Sequence, residues 1–406
     1  MRILRLLVAS LLPLLVSTSP VNTIPPSRND VCLDDASIPS ISTILNTNTP
    51  MTSTSSSEKK NLPVFFFHGL TGNSTEGFNY QANLTAEGRV FVPLAFCERE
   101  CSLTALNIQV PMAIAAVREV VANDERFASG YIFIGHSQGA MMARAVIEQM
   151  DDHKVHTFVS LAGGVNGVFY GPQETDRNSI HDLKAGFGAA ILPQNLFDFT
   201  GYTPEEYRGK MQTDLVRRSM DPTIQAAYSI TNLLWMPVRD VWLSTNPFLP
   251  MINNVNSCAW FDFYCHMEKI RRKNNFLKLK EAHYFASPED GVLSPWQASH
   301  LGHYSEVNSL EEIETQFESL TIVEMHDTVE YKEDTYGLRT LDERGALFRY
   351  TASEFLTAVG CTTFPSSTRT DCASSILSTI NLCTKCFGKR FLWIRTNIFY
   401  YIVKKF

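Results

Sequence analysis

Between Tyr131 and Ala140 the chain reads YIFIGHSQGA, an apolar run that ends in Gly135-His136-Ser137-Gln138-Gly139, with a helical pattern directly after it. A strand that is apolar at successive positions is covered on both faces, which places it inside a parallel sheet flanked by helices. A Gly-x-Ser-x-Gly run between such a strand and a helix makes a sharp turn. The serine is held in a strained backbone conformation, and its hydroxyl is lifted above the sheet. The glycines are required because side chains there would collide with the neighbouring strand and helix. The helix that follows aims its positive end at any anion formed beside the serine. The pentapeptide alone is a weak signal, and the strand before it and helix after it give it weight. Ser137 is therefore the candidate nucleophile, the alternative being a purely structural turn.

The rest of the chain repeats this alternation. Leu62–Gly69 (LPVFFFHG), Arg89–Phe96 (RVFVPLAF) and His156–Gly163 (HTFVSLAG) read as further buried strands. Pro111–Val121 and Met141–Met150 carry apolar residues at helical spacing. Strand patterns return at Phe276–Ser287 and Gly345–Ser353. The expected fold is α/β, a mainly parallel sheet with helices on both faces. From about residue 166 to 275 the alternation stops and aromatic, helical pieces such as FGAAILPQNLF and LLWMPV take over, as in a helical insertion laid over the sheet. The main domain is expected over 61–353. The formal net charge of −7, with no basic stripe, argues against nucleic-acid binding. The lone Cys383–Cys386 C-x-x-C pair has no second pair behind it, so neither a metal site nor a cofactor is expected.

The first 19 residues, MRILRLLVASLLPLLVSTS, have the pattern of a secretory signal peptide, with a membrane anchor as the other reading. Residues 20–60 are rich in Ser, Thr, Asn and Pro and read as a disordered linker. Entry into the secretory pathway fits the acceptor sequons at Asn73 and Asn83. It also fits nine cysteines, among which Cys97 with Cys101 and Cys258 with Cys265 could pair locally. The odd count leaves at least one thiol over.

Acyl chemistry at Ser137 would need two N–H donors for an oxyanion. One is the N–H of Gln138, just after the serine. The other is expected from the HGLTG loop (His68–Gly72), with Leu70 as the candidate and His68 ordering the loop. In this chain order the acid follows a later strand, and Asp290 in SPEDGVLSPWQ is well placed, although an Asp-Gly pair is also a common turn.

Taken in order, FFFHGLTG, GHSQGAMMARAVIEQMDDHKVHTFVSLAGG, SPEDGVLSPWQASHLGHY and DTYGLRTLDERGA resemble the palmitoyl-protein thioesterases over roughly residues 62–350. These are α/β-hydrolases of the lysosomal and secretory pathway, and the blocks look closest to the second branch of the family. The resemblance implies hydrolysis of fatty acyl thioesters, on S-palmitoylated proteins or acyl-CoA, with Ser137 as nucleophile and Asp290 as acid. It implies oxyanion donors at Leu70 and Gln138, and an acyl groove built by the insertion. It places the protein in the secretory pathway, lysosomal or extracellular.

One departure stands out. The family carries its catalytic histidine shortly after the strand matching RGALFRY, whereas here no histidine follows His326. Residues 354–406 are also atypical, rich in Ser, Thr and Cys before an aromatic, basic end. Three readings stay open: a C-terminus that is not the natural one, a lipid-binding relative without the base, or a base recruited from His283, His300 or His303. A carboxylic ester lipase using the same serine is a further alternative. The catalytic histidine is thus unknown from sequence, as is the oligomeric state.

Overall fold

The doubly buried apolar runs become neighbours in a seven-stranded sheet of the computed structural model, which describes residues 30–33, 61–176, 193–290 and 292–352. In chain order the strands are β1 (Asp30–Leu33), β2 (Val64–Phe67), β3 (Phe91–Pro93), β4 (Tyr131–His136), β5 (Val155–Leu161) and β6 (Glu281–Ala286). A separate antiparallel ribbon pairs β7 (His303–Tyr304) with β8 (Ile322–Val323), and β9 (Leu347–Ala352) returns to the main sheet. The spatial order is β1-β9-β6-β5-β4-β2-β3, with every adjacent pair parallel. The chain moves outward from β2 to β3, then turns back to lay β4 on the other side of β2. Such a reversal opens a crevice at the carboxyl ends of the two strands that flank it. Phe67 lies opposite Gly135 there, so the loop leaving β2 and the turn leaving β4 are neighbours.

Aromatic burial holds this part of the sheet. Phe65 packs on Phe127 with ring centroids 4.7 Å apart and meets Tyr131 edge-on at 5.2 Å. Phe67 and Phe133 lie 4.8 Å apart. Each fully buried ring contributes about 1.5–3 kcal/mol. Helices Leu106–Asn123, Gln138–Gln149 and Phe263–Phe276 pack around this sheet, the first and third both against the second. Between β5 and β6 run the helices Lys210–Ser219, Pro222–Ala227, Ser229–Asn232, Arg239–Thr245 and Leu249–Ile252. Their apolar faces form two groups. Trp235 and Trp242 join the main core, while Phe197, Phe199, Met211, Leu215 and Leu234 form a second cluster that reaches Ala162 and Leu293 at the sheet's carboxyl edge.

A charged knot lies beneath these layers. Arg144 and Glu148, one helical turn apart on Gln138–Gln149, are fully buried and paired at 2.8 Å. The Arg144 guanidinium also donates to the carbonyls of Val165 (2.8 Å) and Ile252 (3.2 Å) and lies 4.0 Å above the Tyr336 ring centroid. One side chain thereby joins four parts of the chain.

Three expectations need correction. The strand read from Phe276 begins only at Glu281, because Phe276 ends the preceding helix and the N–H groups of Lys278 and Leu279 turn back to Asn275 and Phe276. The apolar residues there, Phe276 and Leu279, are buried against the core from a helix end and a turn. The helix expected from Met141 starts at Gln138, directly on the serine turn. Asp30–Leu33, inside the expected linker, pairs as an edge strand with β9. Edge pairing uses backbone groups alone, so polar composition does not reveal it. The expected signal segment, Cys383–Cys386 and residues 354–406 lie outside the described residues. No helix among the described residues is long and apolar enough to cross a membrane.

The glycines of the serine turn are sites of closest approach. A methyl on Gly135 would sit 2.4 Å from Ala140 Cα, and one on Gly139 would sit 2.2 Å from the carbonyl oxygen of Phe67. Both obstacles are backbone, so neither can swing aside. Gly139→Ala is expected to destabilise the protein by about 1–3 kcal/mol, read as a lowered urea midpoint. A midpoint equal to that of the parent would show that this contact is not crowded.

Candidate active site

Ser137 occupies the bend between β4 and the Gln138–Gln149 helix, with φ 53° and ψ −125°. A non-glycine residue in such a conformation carries about 1–3 kcal/mol of strain that surrounding contacts must hold. Here they are backbone bonds: Ser137 N–H donates to the Leu161 carbonyl at 3.0 Å, and its own carbonyl accepts from Ala140 N–H at 3.0 Å. Its side chain is half-buried rather than enclosed.

The loop after β2 lies directly alongside. A methyl on Gly69 would be 3.4 Å from Ser137 Cβ. Within this loop Gly69 N–H donates to Glu76 Oε2 (3.0 Å), Thr71 N–H to Ser102 Oγ (2.7 Å) and Gly72 N–H to Gly69 O (3.1 Å). Among the described residues no acceptor meets the N–H of Leu70. The N–H of Gln138, first in its helix, has no intrahelical acceptor either. Two donors therefore remain beside the Ser137 bend, as oxyanion stabilisation requires. His68 turns inward, with Nε2 2.7 Å from Phe96 O, Nδ1 3.0 Å from Gly69 O, and its ring stacked on Phe96. It orders the loop.

Two supporting residues, Ser102 and Glu76, carry no sequence signature. Ser102 accepts from Thr71 through its hydroxyl, while its carbonyl accepts from the side chains of Gln138 (2.9 Å), Gln109 (2.8 Å) and Ser229 (3.0 Å). It follows Cys101, which is bridged to Cys97. Glu76 lies 3.8 Å from His136 Nδ1, immediately before the serine. Burial works against the charge of Glu76, but the His136 hydrogen bond and charge, with the Gly69 N–H, hold its carboxyl below the usual range.

Asp290 is buried after β6, and its Oδ1 accepts from the N–H groups of Val292 (2.9 Å) and Leu293 (3.0 Å). Val292 and Leu293 share the insertion's apolar cluster with Leu70. The loop after β2, the loop after β6 and the insertion thus share one apolar cluster. The histidines weighed as replacements are held in the scaffold. His283 stacks on Phe348 and Tyr350 within the sheet, and His303 stacks on Trp235 with Nδ1 2.7 Å from Tyr304 O. His300 places Nε2 3.1 Å from the carbonyl of Tyr350 in β9. The sequon residue Asn73 caps the short turn Ser74–Gly77 through its side-chain oxygen, and Asn83 lies half-buried in the helix Phe78–Ala86.

Behind the acid loop, Asp176 is buried and accepts hydrogen bonds from Tyr304 Oη and, at 3.2 Å, from Gly171 N–H. Burial pushes its carboxyl up to about 6, with the hydrogen bonds from Tyr304, Ser294 and Gly171 restraining the rise. The Tyr170 hydroxyl is raised by burial and by the charges of Asp176 and Asp290.

Comparison with known proteins gives a consistent result. The family model described as palmitoyl protein thioesterase matches residues 63–354. The human lysosomal thioesterase PPT2 is 28% identical over 295 residues, covering 71% of this chain and 79% of its own. Lysosomal thioesterase PPT2-B of Xenopus laevis is 25% identical over 301 residues, covering 73% and 86%. Palmitoyl-protein thioesterase 3 of Dictyostelium discoideum is 25% identical over 236 residues, covering 58% and 64%.

The raised Asp176 carboxyl has a definite sign in stability. An aspartate whose folded value lies above its unfolded one favours folding increasingly as pH falls from above 6 towards its ordinary value of 3.8. Asp176→Asn should therefore gain relative to the parent at pH 7.5 and lose that gain by pH 4.5, a swing of about 2 kcal/mol between the two. Urea midpoints of both proteins at the two pH values measure it, and a difference that does not change with pH would refute the assignment.

Proposed function

The chain belongs to the palmitoyl protein thioesterase family, an α/β-hydrolase family, and from that footing we propose that it cleaves long-chain fatty acyl thioesters through a serine acyl-enzyme. Ser137 Oγ attacks the acyl carbon, and negative charge collects on the former carbonyl oxygen. The N–H groups of Leu70 and Gln138 stabilise that oxygen. The C–S bond breaks, the thiol leaves with a proton, and water then attacks the Ser137 ester to release the fatty acid. Asp290 serves as the acid of the triad. The observation that carries this reading is the half-buried Ser137, strained at φ 53° beside two N–H groups at the sheet's switch point.

The acyl chain lies against the half-buried Leu70 and Val292, at the edge of the insertion's apolar cluster. Each methylene buried there is worth about 0.8 kcal/mol. The substrates are S-palmitoylated proteins or acyl-CoA. A lysosomal setting follows from what the human and Xenopus relatives are called. Asn73 and Asn83 carry glycans in that pathway.

A base must take the Ser137 proton, since a neutral hydroxyl is a poor nucleophile. The 80 residues after His326 hold no histidine. A chain of this sequence is therefore expected to turn over palmitoyl-CoA only at the residual level that an oxyanion hole and binding supply, about 10³–10⁴ over water. Because that residual rate comes from binding and the oxyanion donors and not from the nucleophile, Ser137→Ala should leave it about unchanged. Ordinary enzyme turnover of 1–10³ s⁻¹ or so would contradict the missing base, unless His136→Ala or His300→Ala removed it. Turnover at that ordinary rate that survived Ser137→Ala would overturn the role of the serine. Rates on palmitoyl-CoA beside a matched oxygen ester decide between a thioesterase and an ester lipase.

A further inference from the structure

Two strained segments meet beside the Ser137 bend. Thr71, in the loop after β2, has φ 59°, and Cys97 and Arg99, in the turn after β3, have φ 39° and 55°. A non-glycine residue stays in this region only where its surroundings enforce it, and such residues gather where a site must be held in shape. The enforcing contacts run between the two segments. Thr71 N–H donates to Ser102 Oγ at 2.7 Å, Ser74 N–H to Glu98 Oε1 at 2.8 Å, and Arg99 N–H to the Gly72 carbonyl at 2.7 Å. The Ser102 hydroxyl donates within its own turn, to the Arg99 carbonyl at 2.5 Å, which leaves its lone pairs for Thr71. The Cys97–Cys101 bridge closes the turn from which all these contacts come.

Ser102 reaches both sides of the bend. Its hydroxyl holds the N–H next in the chain after Leu70, and its carbonyl accepts from Gln138 Nε2 at 2.9 Å. The same carbonyl accepts from Gln109 Nε2 (2.8 Å) and Ser229 Oγ (3.0 Å), and the residue is fully buried. Three donors converging on one oxygen leave it little freedom. The N–H groups of Leu70 and Gln138 come from separate parts of the chain, and Ser102 is bonded to the flank of each.

On the functional reading above, we propose that Ser102 is a positioning residue that sets the two oxyanion donors relative to each other, with the bridged turn Cys97–Ser102 as its rigid mount. Donors fixed in advance need no reorganisation as charge develops on the acyl oxygen. Once the Thr71 N–H is released, the Leu70–Thr71 peptide can turn and the Leu70 N–H loses its aim. The oxyanion exists only in the transition state and the intermediate beside it. The loss therefore falls on kcat and spares KM. A residue that merely supported the fold would produce no such split.

Two measurements on the full chain test this. In amide hydrogen exchange, Ser102→Ala should speed exchange over residues 70–75 at least about tenfold while the sheet strands stay protected. In palmitoyl-CoA hydrolysis, the same variant should lower the residual kcat about tenfold with KM unchanged. Cys97→Ala combined with Cys101→Ala removes the mount and should do both. Gln138→Leu keeps its N–H but loses the side-chain bond to Ser102, and should lower kcat likewise. Unchanged exchange over 70–75 in Ser102→Ala overturns the proposal, as does a fall that appears in KM alone. A double cysteine variant with the parent's exchange and rate overturns the part given to the bridge. A parent that hydrolyses palmitoyl-CoA no faster than buffer overturns the function itself, and exchange then still decides whether Ser102 fixes the loop.

Discussion

The molecule turns on one close approach. At Gly139 the first turn of a helix lies against the carbonyls that end a strand, with no space for a methyl between them. That contact fixes where the helix starts relative to β2, and therefore where the bend before it must fall. The Ser137 backbone takes its strained conformation because both sides of the bend are already placed. The loop after β2 is set by the same contact, since its first carbonyl, that of His68, is the second obstacle near Gly139. The candidate nucleophile and the proposed oxyanion donors thus share one geometric origin, and Ser102 and Glu76 tighten what it begins.

The site is well built around the serine and sparse where proton transfer would occur. Glu76 and His136 make a carboxylate–imidazole pair next to the nucleophile, yet the strand direction and the Glu76 bond to Gly69 N–H make this pair a support for the loop. His300 lies nearer the place where β9 delivers the chain, with its Nε2 against a β9 carbonyl. Binding and charge stabilisation can therefore persist where base catalysis does not. Family membership establishes the hydrolase scaffold, while the 80 residues after His326 hold no histidine.

Much of this was legible in the sequence because it rests on local rules. Continuous apolar runs identified β2, β4 and β5, and the glycine spacing around Ser137 announced the turn. Other features depend on partners far away in the chain. Glu76 matters through a loop backbone, and Ser102 through its carbonyl, and neither leaves a residue-type signal. Asp30–Leu33 joins the sheet by backbone pairing, which composition cannot show. Phe276 and Leu279 mimic a strand because a helix end and a turn can bury apolar residues at the same spacing. Asp176 has a polar identity but a buried address, fixed by Tyr304 more than a hundred residues away.

The Arg144 knot has a bearing on how such a chain can vary over time. One guanidinium is shared among a carboxylate, two carbonyls and an aromatic ring contributed by separate segments. Exchanging it alone would strand Glu148 without its counter-ion in a dry interior, whereas exchanging both for apolar residues would leave only carbonyls to be satisfied. Drift at this spot should proceed by joint replacement. Lineages that carry half of such a change would be expected to be rare, short-lived intermediates.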